Sequence, residues 1–265
     1  MKFCKWTLAI LYLILVCVSC RSKIKEQEDD VYSRHLQRHV KLQIITTPMP
    51  SDKSEMNLLL VNGVSEMRRM ALKELVDSLY KKKLIEPLVI VGVGGEEQEF
   101  GLSGLGEPGK SASKPEKYNE FYSSELYPFI KKKVVVRKFK SVAIVGFEKS
   151  GISAFDIAWN NADKIQKVGI FSGDYGYHDK ADTAKNVFSY LASSRKRPMM
   201  QVWLYAGDQP DSAALITTLH FANALESKKT IARDDIVINE DKFSGNDRED
   251  WRKNFSAFLT WAFAK

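Results

Sequence analysis

The chain has 265 residues, with 40 Lys and Arg against 33 Asp and Glu, a formal net charge of +7. Its three cysteines, Cys4, Cys17 and Cys20, all fall within the first twenty residues. The rest of the chain therefore excludes a disulfide framework and a cysteine-type metal cluster. A domain of roughly 220 residues buries enough core to need neither. The lysine runs 81–83 and 131–133 fall at predicted helix ends, where they complement the helix dipole. No basic stripe interleaved with aromatics points to a nucleic-acid partner.

Residues 1–19 read as an export signal. Lys2 and Lys5 form a charged n-region and Trp6 to Val16 a short apolar core, too short for a comfortable membrane span. Val18-Ser19-Cys20 resembles a bacterial lipobox, with Cys17 where leucine is usual. That resemblance implies cleavage before Cys20, a lipid anchor on it, and residence in the bacterial cell envelope on the periplasmic or surface side. Loss of Lys2 and Lys5 lowers the charge from +7 to +5. Residues 20–35 read as the lipidated cysteine and a polar tether, acidic at Glu28-Asp29-Asp30, and residues 36–265 as one domain.

Within that domain Val40 to Ile45 alternates and reads as a strand, closed by Pro48 and Pro50. Met56 to Val61 reads as a buried strand stopped by Asn62-Gly63. Glu66 to Lys82 has helical spacing, with Met70, Leu75 and Leu79 on one face. Pro87 to Val93 is a second buried strand, followed by a glycine-rich loop from Gly94 to Pro115 of the length that carries a task. Glu116 to Lys132 reads as an aromatic-rich helix bent near Pro128. Strands at Val142 to Val145, Val168 to Phe171, Met200 to Ala206 and Ile236 to Asn239 alternate with helices at Gly151 to Asn160, Thr183 to Ala192, Ser212 to Lys228 and Glu249 to Ala264. Continuous apolar strands between helices predict an α/β fold: a mostly parallel central sheet with helices on both faces.

The segment Ser141 to Gly151 reads as a buried strand, a glycine-framed turn and a helix. A serine α/β-hydrolase carries G-x-S-x-G in that setting. Four stretches at matching spacing resemble the esterase D/putative esterase branch of the α/β-hydrolases, which includes enterochelin esterases. They are Tyr122-Ser-Ser-Glu-Leu-Tyr-Pro-Phe-Ile130, Ala143-Ile-Val-Gly-Phe-Glu-Lys-Ser-Gly-Ile-Ser-Ala154, Lys167-Val-Gly-Ile-Phe-Ser-Gly173 and Gly245-Asn-Asp-Arg-Glu-Asp-Trp251. The resemblance covers about Val40 to the C-terminus and implies the α/β-hydrolase fold.

It also implies a degenerate triad. The nucleophile position holds Glu148, the histidine position Asn246, and the acid position Pro210, flanked by Asp208 and Asp211. An amide cannot take and return a proton near neutral pH. Ser150 stands where the motif's last glycine belongs, with a side chain expected to point away from the nucleophile position. Candidate substitutes are Ser150, His178 and Asp211; His35, His39 and His220 read as structural or solvated. The oxyanion donors implied are the backbone N–H groups of Val64 and Lys149. The Glu148 carboxylate is expected to fill that hole or to pair with Lys149. Gly92-Val-Gly-Gly95 lacks the third glycine of a dinucleotide site, and the acids at 240, 241, 247, 249 and 250 lack EF-hand spacing, so neither cofactor nor metal is expected.

The first expectation is therefore an exported, lipid-anchored, esterase-like protein without serine-hydrolase activity. Its old pocket would hold a small ester, a sugar, a siderophore-like fragment or a protein partner. The alternative is an active carboxyl-ester hydrolase with a rearranged site, and a third reading is an accessory whose pocket has closed.

Overall fold

The computed structural model describes residues 24–103, 112–176, 186–208, 213–227, 231–242 and 248–265. Eight strands form one sheet: β1 (Lys25–Ser33), β2 (Arg38–Thr46), β3 (Asn57–Asn62), β4 (Leu88–Val93), β5 (Val142–Phe147), β6 (Lys167–Phe171), β7 (Gln201–Asp208) and β8 (Ile236–Lys242). Their order is β1-β2-β4-β3-β5-β6-β7-β8. The pairs β1–β2 and β2–β4 are antiparallel, and every later pair is parallel.

Successive side chains of a strand point to opposite faces, and the core divides accordingly. Leu58 and Leu60 join one apolar layer with Tyr118, Phe121 and Phe155. Leu59 and Val61 join the other with Phe171, Phe255 and Phe258. Helices α1 (Val64–Arg69), α2 (Leu72–Lys81) and α8 (Arg248–Phe263) cover this second face. Helices α3 (Lys114–Glu120), α4 (Tyr127–Lys133), α5 (Glu148–Asn160), α6 (Val187–Ser193) and α7 (Ala214–Ser227) cover the first.

Three expectations change. The tether reading fails for residues 25–33, which form β1 and pair with β2 from Lys25↔Thr46 to Ser33↔Arg38. Apolar alternation is missing because β1 is an edge strand, held by its backbone ladder and by ion pairs. Glu26 meets Lys73 at 3.2 Å, Glu28 meets Arg68 at 2.6 Å and Asp29 meets Lys133 at 2.7 Å. Charge on an edge also guards it against pairing with another chain.

The single helix expected over 66–82 is two. Met67, Met70, Leu72, Val76 and Leu79 are all buried, and no straight helix places 70 and 72 on one face. A left-handed Ala71 (φ 50°) breaks the helix and turns both segments inward. The helix expected over 116–132 is interrupted by a π-helical stretch, Phe121–Leu126. There the Tyr127 N–H reaches the Tyr122 carbonyl one residue before Pro128, whose ring cannot donate.

Candidate active-site cleft

The end of β5 and the start of α5 form the tightest turn of the site. Glu148 sits there with φ 49°, a left-handed conformation that costs a non-glycine residue about 1–2 kcal/mol. Close packing around it depends on glycine: a Cβ on Gly146 would lie 2.3 Å from the Ser150 carbonyl oxygen, and one on Gly151 2.9 Å from Ile170 Cγ2. The close approach thus falls at positions 146 and 151, and position 150 accommodates a serine. The Ser150 hydroxyl donates to the Phe147 carbonyl at 2.8 Å and accepts from the Phe147 N–H at 3.0 Å. Ser150 is buried, with its hydroxyl bonded on both sides to the Phe147 backbone, and it borders the cleft around Glu148.

Beneath the turn lies a buried polar network that sequence reading missed. Asn62 Nδ2 donates to the Ser150 carbonyl at 2.9 Å, and its Oδ1 accepts from the hydroxyls of Tyr118 at 2.8 Å and Tyr122 at 3.3 Å. Burial pushes both phenols well above their ordinary range, so both remain neutral donors. An asparagine ending an otherwise apolar strand was the available signal.

Around Glu148 opens a cleft of about 720 Å³ at the C-terminal ends of β3, β4 and β5. Its walls come from the turn after Gly63, the loop after Gly94, the β5–α5 turn and the start of α8. Val64 and Lys149, the expected oxyanion donors, both border it, each in the first turn of a helix. The Glu148 side chain is exposed and has no hydrogen-bond or ion-pair partner among the described residues. The expected pairing with Lys149 does not form, because Lys149 Nζ lies 4.0 Å from Glu97 instead. Lining carboxylates (Glu66, Glu97, Glu148 and Glu249) outnumber lining cations (Lys149 and Arg248) two to one.

Residues 94–100, the part of the glycine-rich loop that lines the cleft, are held by Arg38. Its guanidinium grips both oxygens of buried Glu99, with Nε at 2.8 Å from Oε1, and donates to the Gly94 carbonyl at 3.2 Å. The same Glu99 carboxylate accepts the Glu96 N–H at 3.0 Å. Glu99 and its charged bonds hold the Arg38 cation above its usual range. On the opposite wall Trp251 packs on Phe147, ring centroids 4.9 Å apart, and donates its indole N–H to Ser172 Oγ at 2.9 Å.

Among the described residues no histidine lines the cleft. His35 Nε2 lies 3.0 Å from Ser124 Oγ at the β1–β2 turn. That hydroxyl already donates to the Glu120 carbonyl at 2.7 Å, so it receives the imidazole proton, the reverse of a nucleophile–base pair. His39 pairs with Asp30, and His220 is exposed on α7. Asp208 ends β7, while Cys20, His178, Pro210, Asp211 and Asn246 lie outside the described residues.

A family model described as "Putative esterase" matches residues 33–262. The chain belongs to this family. The enterobactin esterase FES from Shigella flexneri, solved in the presence of 2,3-dihydroxy-N-benzoyl-glycine, superposes with a TM-score of 0.72 at 16% identity, over 90% of this chain and 59% of that one. The chain thus spans 59% of the length of that esterase. A ferulic acid esterase gives 0.69 at 18% identity, covering 91% and 98%. The BES protein from Bacillus cereus gives 0.66 at 17%, covering 91% and 96%. At such identities the likeness establishes the α/β-hydrolase fold. No curated protein matches the sequence significantly. Within this chain the turn from β5 into α5 carries the Glu148 carboxylate at its tip.

Proposed function

We propose that this chain is an exported, lipid-anchored binding or accessory protein built on the esterase fold, without serine-hydrolase activity. The observation that carries the reading is the turn itself. Its tip presents Glu148 in place of a hydroxyl, and the nearby Ser150 hydroxyl is consumed by the Phe147 backbone. Acyl transfer needs a hydroxyl activated by an imidazole and an empty, donor-lined hole for the oxyanion. A carboxylate at the tip opposes the negative charge that would develop there.

The open cleft favours a bound ligand over a closed, purely structural role. Its excess of carboxylates disfavours a polyanion, and so weighs against a siderophore-like ligand of high negative charge. A neutral small ester or a sugar fits better, with Phe100, Phe147 and Trp251 offering apolar surface. The aromatic acyl compounds named for the structural relatives belong to this size class.

A second reading, an active hydrolase with a rearranged site, rests on one observation. Glu148 is unpaired, strained and flanked by the N-termini of α1 and α5, a setting in which a carboxylate could act as nucleophile. Turnover of short p-nitrophenyl esters separates the two, and labelling by a fluorophosphonate probe reports any activated serine. Wild type is expected at background in both assays. Glu148→Ser alone is expected to stay there, since a serine without a base is a weak nucleophile. Ester turnover by wild type that Glu148→Gln abolishes would reverse the ranking.

A further inference from the structure

The start of β1 fixes which way the molecule faces. Strand β1 is antiparallel to β2, which is antiparallel to β4, so β1 runs in the same direction as the parallel strands. Lys25 pairs with Thr46, and Thr46 with Val89 at the beginning of β4. The chain therefore enters the fold at the N-terminal ends of the parallel strands. The cleft lies at the other end, beyond Asn62, Val93 and Phe147. The nine residues of β1, at about 3.3 Å each, separate the two ends by roughly 30 Å. Cys20 precedes Lys25 by five positions, which at full extension reach at most about 18 Å.

The entry end has a surface unlike the cleft end. Among the described residues the exposed large apolar side chains include Met49 (41%), Leu84 (44%), Val135 (67%) and Met199 (86%). All four sit in loops that lead into β3, β4, β5 and β7 at this end. The same loops carry exposed Lys82, Lys83, Arg137, Lys138, Arg195 and Arg197. Against these cations the same loops carry the acids Asp52, Glu55 and Glu86, of which Glu55 and Glu86 share Lys140 at 3.3 Å and 2.6 Å. One end is thus basic with apolar tips, and the other is a carboxylate-rich cleft.

We propose that the loop face at the N-terminal ends of the strands docks on an anionic phospholipid surface, with the cleft turned away from the bilayer. The orientation rests on the proposed anchor at Cys20; the surface chemistry does not. The short link leaves the domain close to the bilayer, where basic side chains gain from anionic headgroups and apolar tips enter the interface. A cleft turned outward remains open to ligands arriving from the aqueous side.

The test uses the full chain, extracted from membranes and reconstituted into vesicles of phosphatidylethanolamine and phosphatidylglycerol. A fluorophore is attached at Met199→Cys or at Gln98→Cys, exposed positions at opposite ends, and quenched by a headgroup-labelled lipid. Quenching is expected to be at least about threefold stronger at 199. Replacing phosphatidylglycerol by phosphatidylcholine, or introducing Lys138→Glu, Arg195→Glu and Arg197→Glu together, should reduce that ratio towards one. The triple change Arg34→Glu, Lys114→Glu and Arg252→Glu, which alters equal charge elsewhere, should leave it intact. Equal quenching at both positions, or stronger quenching at 98, overturns the proposal, as does burial of position 199 by a second copy of the chain. Intact mass on the same sample separates the two ideas. An unacylated Cys20 with selective quenching at 199 retains the surface and discards the anchor, whereas an acylated Cys20 without selectivity does the opposite.

Discussion

Removing the Arg38 guanidinium should loosen the loop that lines the cleft and cost the fold measurably. Glu99 is 4% exposed, and both its oxygens are held by Arg38. Arg38→Ala leaves that carboxylate buried with the Glu96 N–H as its remaining hydrogen-bond donor. Breaking a buried ion pair from one side costs about 3–5 kcal/mol. The Arg38 side chain retains 23% exposure, so water reaches part of the pair and the lower end, about 3 kcal/mol, applies. For a domain of this size that corresponds to a drop in Tm of roughly 6–12 °C. Arg38→Lys keeps the charge but loses the two-pronged grip and should fall between. Arg38→Met combined with Glu99→Leu removes both charges and should recover part of the loss, short of the bond to Glu96. Thermal melts followed by near-ultraviolet circular dichroism give the numbers, and protease nicking after Gly94 reports the loop. A change below about 2 °C for Arg38→Ala, or a double variant worse than the single one, would refute the clamp.

Two further outcomes are expected. Asp156 is buried, with its oxygens accepting from Asn119 Nδ2 at 3.0 Å and Asn160 Nδ2 at 2.9 Å, and burial raises its carboxyl above the ordinary value of 3.8. A raised carboxyl favours the folded state while protonated, so this contribution is full below pH 3.8 and fades as pH rises through the folded value. The Tm of wild type relative to Asp156→Asn should therefore fall from acid toward neutral pH, and a constant difference across that range would contradict the assignment. The mature chain should begin at Cys20 with lipid attached; intact-mass spectrometry of membrane-extracted protein decides this, and an unmodified start elsewhere would end the anchor reading.

What the sequence made legible were features with a period or a packed motif. The apolar runs at 56–61, 87–93 and 142–145 read as buried strands and coincide with β3, β4 and β5, and the glycines framing position 148 announce the strand-to-helix turn. Features set by partners distant in the chain were not legible. Strand β1 has no apolar alternation because its stability comes from the β2 ladder and from lysines and arginines in α1, α2 and α4. The left-handed break at Ala71 follows from fitting Met70 and Leu72 into one core, which no local propensity encodes. Within the site, the tip residue was readable, but the Arg38–Glu99 clamp spans 61 positions and the Asn62–Tyr118 bond 56. The closeness of such pairs is a property of topology.

The strained backbone at Glu148 bears on whether the second functional reading deserves weight. Strain at a turn invites a catalytic interpretation, yet here its cause lies in the neighbours. Gly146 and Gly151 leave room that a Cβ would fill against the Ser150 carbonyl and Ile170, and the Ser150 hydroxyl and Asn62 amide tie the turn. These contacts fix the path of the chain on either side of position 148, and none involves its carboxylate. The conformation would then persist whatever side chain stands at position 148, and its presence is no evidence for chemistry. The consequence is measurable. Glu148→Ala and Glu148→Gly should each change stability by less than about 1 kcal/mol, because relief of left-handed strain in glycine is offset by its greater freedom when unfolded. Gly146→Ala should cost about 3 kcal/mol, since its new methyl meets backbone 2.3 Å away and cannot be accommodated by a side-chain shift. Urea denaturation of the three variants makes the comparison. If Glu148→Ala lost as much as Gly146→Ala, the carboxylate itself would be holding the turn, and the account from its neighbours would fail.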